Sequence, residues 1–107
     1  MTLNRVQLLG YVLGNPVINT TERLVPAASF TVETADEWTN KAGETERRPQ
    51  WTRCVAYGTK VSIVQGLASG SQVYVEGPLS TRQDDKGGFH SEIRVKTVMP
   101  VHGRRSL

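Results

Sequence analysis

Short segments with the pattern of β-strands, separated by turn residues, recur along the chain. In the first segment, Val6, Leu8 and Val12 alternate with polar residues such as Arg5 and Gln7. A period of two residues is typical of a strand that turns one face towards the core. The pattern predicts five strands, at residues 4–13, 28–34, 51–57, 72–79 and 89–99.

Residues 59–68 have a different spacing and form the one predicted helix. Gly70 follows where a left-handed glycine would end it. Four apolar residues of this segment recur at helical intervals: Val61, Val64, Leu67 and Ala68. The polar stretch 39–50 is predicted as an extended hairpin loop between the second and third strands. The predicted order is therefore three strands, a short helix and two strands.

This order of elements is that of the OB-fold, an all-β, five-stranded Greek-key barrel with one short helix between strands 3 and 4. Strand count and helix position do not fix a topology, so an SH3-like barrel and a fragment of a β-sandwich stay open as alternatives. A chain of 107 residues has room for a single core. We assign residues 1–100 to this domain and residues 101–107 to a short basic C-terminal end.

Composition and charge narrow the class of protein. Thirteen Lys and Arg residues against ten Asp and Glu give a net charge of +3, a mild bias towards an anionic partner. The single Cys54 cannot form an internal disulfide, so we expect a reducing, cytoplasmic location and a buried role as a small hydrophobe. No stretch approaches the roughly 20 apolar residues of a membrane span, so no membrane association is expected.

The third predicted strand carries the candidate chemistry. Its odd-numbered residues, among them Trp51, Arg53 and Tyr57, share one face, while the small residues 52, 54 and 56 share the other. Aromatic rings spaced along a groove stack on the bases of a single strand irrespective of sequence. Strand aromatics also commonly belong to a core, but burying the Arg53 face would leave a charge without a partner, which is costly. The pattern therefore favours an exposed platform.

Further candidates flank this strand. Trp38, next to the polar loop, is a third stacking residue. Glu33 and Glu76 are predicted to lie on faces away from the path of the nucleic acid. The residues expected to contact phosphates are Arg5, Arg47, Arg48, Arg53, Arg82, Lys86, Arg94 and Lys96.

Several segments resemble the bacterial single-stranded-DNA-binding protein (SSB) family. They are residues 4–10 (NRVQLLG), 13–16 (LGNP), 28–34 (ASFTVET), 51–53 (WTR), 70–77 (GSQVYVEG) and 79–82 (LSTR). Trp38 and Trp51 match positions where the family carries stacking tryptophans, and Tyr57 matches a DNA-contacting aromatic. The resemblance, over about residues 4–99, implies an OB-fold and sequence-independent binding of single-stranded DNA in replication, recombination or repair. It also implies a homo-oligomer, with a tetramer favoured and a dimer possible.

The chain departs from the family pattern at three places. Asp84 occupies a position where many members carry a further stacking tryptophan, and Thr52 replaces a histidine at the subunit contact. The third is the end of the chain, PVHGRRSL at residues 100–107, which is short and basic where the family has an acidic tip. We therefore expect no acidic-tail recruitment of other proteins.

Nothing in the sequence indicates catalysis. His90 and His102 are isolated, no Cys/His cluster has metal-ligand spacing, and no nucleotide or nucleophile motif occurs. We therefore expect a binding module without metal or cofactor, and an OB-fold hydrolase is the least favoured alternative. The main alternative is an assembly factor in replication restart like primosomal replication protein B, which resembles SSB in fold and lacks the acidic tail. An OB-fold binder of RNA or oligosaccharide is a further alternative.

Overall fold

The computed structural model describes residues 1–21 and 23–104 as one curled, half-barrel sheet with a short helical segment. A single 3₁₀ turn, Gly58–Lys60, runs directly into the helix α1, Val61–Gln65. The seven strands are β1 (Val6–Thr20), β2 (Pro26–Thr39), β3 (Thr45–Tyr57), β4 (Ser71–Gly77), β5 (Leu79–Gln83), β6 (Phe89–Arg94) and β7 (Thr97–Arg104).

The strands form one sheet in the order β5-β6-β3-β2-β1-β4-β7. The long strand β1 pairs with β4 over Val6–Tyr11 and with β2 from Tyr11 onwards, so it joins the two halves of the sheet. All ladders are antiparallel except β3–β6, which is parallel. The chain passes from β4 to β5 and from β6 to β7 within a few residues, so one bent hairpin links both ends of the sheet. This connection curls the sheet as an OB-fold requires.

The predicted count of five strands is wrong, because two of the predicted strands are each broken in two. The predicted strand 72–79 ends at Gly77, and β5 begins after Pro78. Proline has no N–H for the ladder. A Cβ on Gly77 would overlap the carbonyl oxygen of Arg94, so the backbones cross there at a distance only glycine permits. The hairpin bends at this crossing.

The second break falls between β6 and β7, inside the predicted strand 89–99. The N–H of Val95 donates to Val55 O at 2.9 Å, and the N–H of Lys96 donates to Glu76 O at 2.8 Å. Consecutive amides therefore bind β3 and β4, two strands that are not neighbours in the sheet. The chain changes partner here.

The predicted loop 39–50 is mostly strand. The β2–β3 register runs without a bulge from Ala27↔Tyr57 to Thr39↔Thr45 and leaves only residues 40–44 as a turn. Asn40 Oδ1 closes this turn by accepting the N–H groups of Ala42 and Glu44. We call the far part of this hairpin, residues 33–51, the β2–β3 ribbon. Most of its residues are exposed, which explains its loop-like composition.

The helix is shorter than predicted and ends at Gln65, with Gly66 as its C-cap residue. Gly70 does have a positive φ of 88°, but it lies in the turn before β4 rather than at the helix end. Val64 and Leu67 are buried as expected, whereas Ala68 is exposed. No helix of the described residues is long and apolar enough to cross a membrane.

The core lies between the curled sheet and α1. Its largest fully buried side chains are Val32, Cys54, Val64, Val73, Val75 and Ile93. Cys54 thus occupies the predicted place of a small buried hydrophobe, and burial raises the pKa of its thiol to about 12. The even-numbered residues of β2 and β3 face this core near the barrel. Their odd-numbered neighbours face outwards.

Candidate nucleic-acid interface

The outward face of β3 carries the aromatic pair as predicted. Trp51 is 58% exposed and Tyr57 is 37% exposed, with the exposed Arg53 between them. The small residue Cys54 points into the core instead. Val55 departs from the prediction, because it lies on the outward face yet is only 7% exposed. The two rings are six residues apart, roughly 20 Å along an extended strand.

Trp51 is held by a buried acid. Glu33 lies directly opposite Trp51 in the β2–β3 register, and residues opposite each other share a face. The indole Nε1 donates to Glu33 Oε1 at 3.0 Å, and an Nη of Arg47 lies 3.3 Å from Glu33 Oε2. Glu33 is only 7% exposed. The expectation that Glu33 faces away from the platform is therefore wrong, because the register brings it beneath the indole.

A second buried acid holds the next pair of cations. Glu92 of β6 lies beside β3, where Arg53 Nε is 3.0 Å from its Oε2 and Arg82 Nε is 3.8 Å from its Oε1. The carboxylate is buried, whereas the side chains of both arginines are about half exposed. Each guanidinium is thereby bonded on one side to a buried carboxylate, while about half of the arginine side chain stays exposed to solvent.

The Tyr57 end of the platform is cationic. Arg94 Cζ lies 5.8 Å from the centroid of the Tyr57 ring, within the range of a cation–π contact. Thr21, Arg23 and Val25 complete a cleft of about 440 Å³ beside the ring. Arg23 was not predicted from the sequence, because only the pairing of β2 with β3 brings the β1–β2 loop next to Tyr57.

Trp38 lies on the opposite face of the ribbon from Trp51. It pairs with Glu46 in the register, and strict alternation assigns these even-numbered residues to the other face. Arg48 shares that face, with its Cζ 5.5 Å from the Trp38 ring centroid. Trp38 is 40% exposed. The structure thus brings Trp51 and Tyr57 together but separates Trp38 from them.

Two further predicted phosphate contacts, Arg5 and Lys96, lie together in a different cleft of about 290 Å³. Arg5 forms an ion pair of 2.7 Å with Glu76. The hydrogen bond from Arg5, followed by that from Tyr74, lowers the pKa of the Glu76 carboxyl. Arg5 is therefore engaged with an acid of its own chain.

The β5–β6 hairpin has its own chemistry at the tip. Asp84 Oδ1 accepts the N–H groups of Lys86 and Gly88, and its Oδ2 lies 2.7 Å from His90 Nε2. The bond to His90, followed by the backbone bonds, lowers the pKa of Asp84. Phe89 is 72% exposed on this hairpin and was not singled out in the sequence, where no neighbouring pattern distinguished it from a core residue. Among the described residues, no cluster of His, Cys, Asp and Glu could hold a metal ion.

Comparison with known proteins agrees with this geometry. The model of the single-strand binding protein family matches residues 3–101. The chain is 37% identical over 103 residues to single-stranded DNA-binding protein 1 of Xylella fastidiosa, covering 91% of this chain and 76% of that protein. It is 36% identical over 89 residues to the protein of the same name from Chlorobaculum tepidum, covering 80% of this chain and 55% of that protein.

Two solved structures share the fold. One is the SSB complex with single-stranded DNA from Plasmodium falciparum, with a TM-score of 0.81, 26% identity, and coverage of 94% of this chain and 96% of that one. The other is a deletion mutant of the single-stranded DNA binding protein from Thermus aquaticus, with a TM-score of 0.81, 25% identity, and coverage of 95% and 52%. The predicted OB-fold is confirmed, and the chain belongs to the single-strand binding protein family.

Proposed function

We propose that this chain binds single-stranded DNA without sequence preference and protects it during replication, recombination or repair. The observation that carries this proposal is the outward face of β3, on which Trp51, Arg53 and Tyr57 are all exposed. The names of the relatives and the DNA-bound structure from Plasmodium falciparum support the same ligand. The proposed activity is binding, with no bond made or broken and no cofactor.

The mechanism is stacking combined with neutralisation of phosphate charge. Bases stack on the exposed faces of Trp51 and Tyr57, each contributing about 1–3 kcal/mol. Arg53 and Arg94 lie along the same face and meet the phosphates between these bases, as do Arg47 and Arg82 at its sides. The buried carboxylates of Glu33 and Glu92 bond to Arg47, Arg53 and Arg82, whose side chains stay about half exposed. Arg94 lies over the Tyr57 ring instead.

The remaining predicted contacts lie around this central path. Trp38 and Arg48, on the other face of the ribbon, are proposed to hold a segment of DNA that has crossed the ribbon edge. Lys86 at the tip of the β5–β6 hairpin contacts the backbone on one side, and Arg5 and Lys96 contact it near the start of β1. Arg5 is already paired with Glu76, so part of its charge is neutralised within the chain.

We propose a homo-oligomer, a tetramer rather than a dimer. Leu9, Leu13 and Met99 are each about half exposed on the outward face of β1, β4 and β7. Within residues 1–21 and 23–104, no strand pairs with Val6–Leu9 on the side away from β4. An apolar face next to an open strand edge supports association of copies. We also propose a cytoplasmic location.

A fluorescence titration with poly-dT at two salt concentrations tests the proposal, with tryptophan quenching as the signal. We expect strong quenching, and a log–log salt slope that counts the phosphates neutralised. Poly-U is the matched control, because equal affinity for both polymers would point to an RNA binder instead. Absence of quenching with either polymer would contradict the proposal.

Light scattering after gel filtration tests the assembly. A tetramer is the expected result. A stable dimer would instead favour an assembly factor like primosomal replication protein B, although the relatives named above are single-stranded DNA-binding proteins.

A further inference from the structure

Glu33 is an unusual residue to find beneath a surface that binds an anion. Glu33 is only 7% exposed and lies directly opposite Trp51, at one end of the proposed stacking platform. Removing a carboxylate from water costs free energy unless its charge is paired and hydrogen-bonded. A negative charge here also repels phosphates. Its position therefore calls for a role that offsets both costs.

Two of the partners of Glu33 indicate what that role is. The indole N–H of Trp51 and the guanidinium of Arg47 both bond to this carboxylate, at 3.0 and 3.3 Å. Trp51 as a whole is 58% exposed. The side chain of Arg47 is 43% exposed. Both side chains therefore keep much of their surface in solvent while one polar group of each bonds to Glu33. What both gain from it is a fixed orientation.

The ribbon is shaped for this arrangement. Between the Glu33–Trp51 pair and the Glu37–Arg47 pair lies the pair Ala35–Pro49 on the same face. These two residues are short, so the long side chain of Arg47 lies along the ribbon over them and reaches Glu33. The positive charge of Arg47 then offsets the negative charge of the Glu33 carboxylate near the indole. The N–H edge of the indole is fixed by its hydrogen bond to Glu33, while much of the surface of Trp51 stays exposed.

We propose that Glu33 is a positioning residue, which orients the Trp51 indole for stacking and uses Arg47 to screen its own charge from DNA. A side chain that is already immobilised loses less conformational entropy on binding. The inference rests on the proposed function only in that Trp51 stacks on bases. The orientation itself is a property of the free protein and can be measured without DNA.

Two variants of equal charge and similar size separate orientation from electrostatics. E33Q keeps a side-chain oxygen that accepts the indole N–H, whereas E33M fills the same space without an acceptor. Both are made in a W38F background, so that Trp51 is the only tryptophan in the chain. E37Q is the control, because Glu37 is an exposed carboxylate on the same strand face that lies opposite Arg47 rather than Trp51.

In the free proteins, we expect lower fluorescence anisotropy and faster acrylamide quenching of Trp51 in E33M than in E33Q. With labelled oligo-dT, E33M should bind about three- to tenfold more weakly than E33Q, the range expected for immobilising one side chain. E33Q and E37Q should both bind at least as tightly as the parent, because each loses one negative charge. Melting temperatures measured in parallel identify a variant that fails to fold, and the indole measurements on E33Q against the parent then replace the missing comparison.

The outcomes separate the two proposals. Equal anisotropy, quenching and affinity in E33M and E33Q would overturn the positioning role, since a purely electrostatic effect treats these variants alike. W51A in the same background tests stacking independently. If W51A binds as tightly as its parent, the proposed stacking function fails at this residue, whatever the indole mobility in E33M.

Discussion

Two hairpins of the molecule, the β2–β3 ribbon and the β5–β6 hairpin, differ in the polar contacts made near their exposed aromatic rings. In the β2–β3 ribbon, Arg48 and Glu33 each contact an exposed tryptophan, Trp38 and Trp51 respectively. In the β5–β6 hairpin, Asp84 bonds to backbone N–H groups of its own turn and to His90, and the neighbouring Phe89 is exposed. The polar groups beside the two ribbon tryptophans contact the rings themselves, whereas Asp84 near Phe89 bonds to its own turn. DNA affinity should therefore be concentrated in the ribbon.

The largest loss of DNA affinity is expected from W51A. Losing the stacked base on the anchored indole should weaken oligo-dT binding by about 1–3 kcal/mol, roughly 5- to 150-fold. W51F is the control and should keep most of the affinity, because a smaller aromatic ring still stacks. Fluorescence anisotropy of a labelled oligonucleotide measures both. If W51A and the parent bind alike, affinity is not concentrated in the ribbon.

A smaller and length-dependent effect is expected from W38A. Trp38 lies on the face of the ribbon opposite Trp51, so a short oligonucleotide on the β3 face does not reach it. We expect a loss of about 1 kcal/mol with long poly-dT, the low end of the stacking range, and almost none with the shortest oligo-dT that binds. Equal losses at both lengths would mean that both tryptophans contact one stretch of DNA.

The period of two along β3 predicted that three of its side chains are exposed, but not that Val55 on the same face is buried. Trp51, Arg53 and Tyr57 are exposed because alternation is a local property of any strand. The bond between Glu33 and Trp51 could not be predicted from alternation within one strand, since it depends on the register between β2 and β3 across a turn. A shift of one residue would have put Glu33 on the other face.

The break at Pro78 was readable from the sequence, because a proline inside a strand pattern argues against a continuous central strand. The break at Val95 and Lys96 was not. It arises where consecutive amides bond to β3 and β4, which are brought to the same segment only by the curling of the sheet. The sequence pattern thus predicted the fold class but not the break between β6 and β7.

F89A tests the other side of the comparison and should have a small effect. The Phe89 ring is exposed, and no cation of the described residues stacks over it as Arg48 does over Trp38. An unanchored ring pays more entropy when it stacks, so we expect a loss of about 0.5 kcal/mol or less in oligo-dT affinity. A loss as large as that of W51A would show that the β5–β6 hairpin is an equal partner in binding.

The smallest effect concerns the stability of the β5–β6 turn and its dependence on pH. His90 and the backbone N–H groups lower the pKa of Asp84 from its usual 3.8, so they favour its charged form in the folded state. A carboxyl with a depressed folded pKa adds stability above its unfolded pKa and loses it as pH falls through the folded value. In D84N the amide oxygen still accepts the turn N–H groups, but the charge is gone.

Melting temperatures of the parent and D84N should therefore differ slightly near pH 6 and converge as the pH falls below about 4. D84A, which loses the acceptor as well, should melt below D84N at every pH, because the N–H groups of Lys86 and Gly88 lose their partner. If the gap between the parent and D84N is the same at pH 6 and pH 3, the charge of Asp84 contributes nothing to the turn. Poly-dT affinity should be nearly equal in all three proteins, since this hairpin builds its turn rather than a stacking surface.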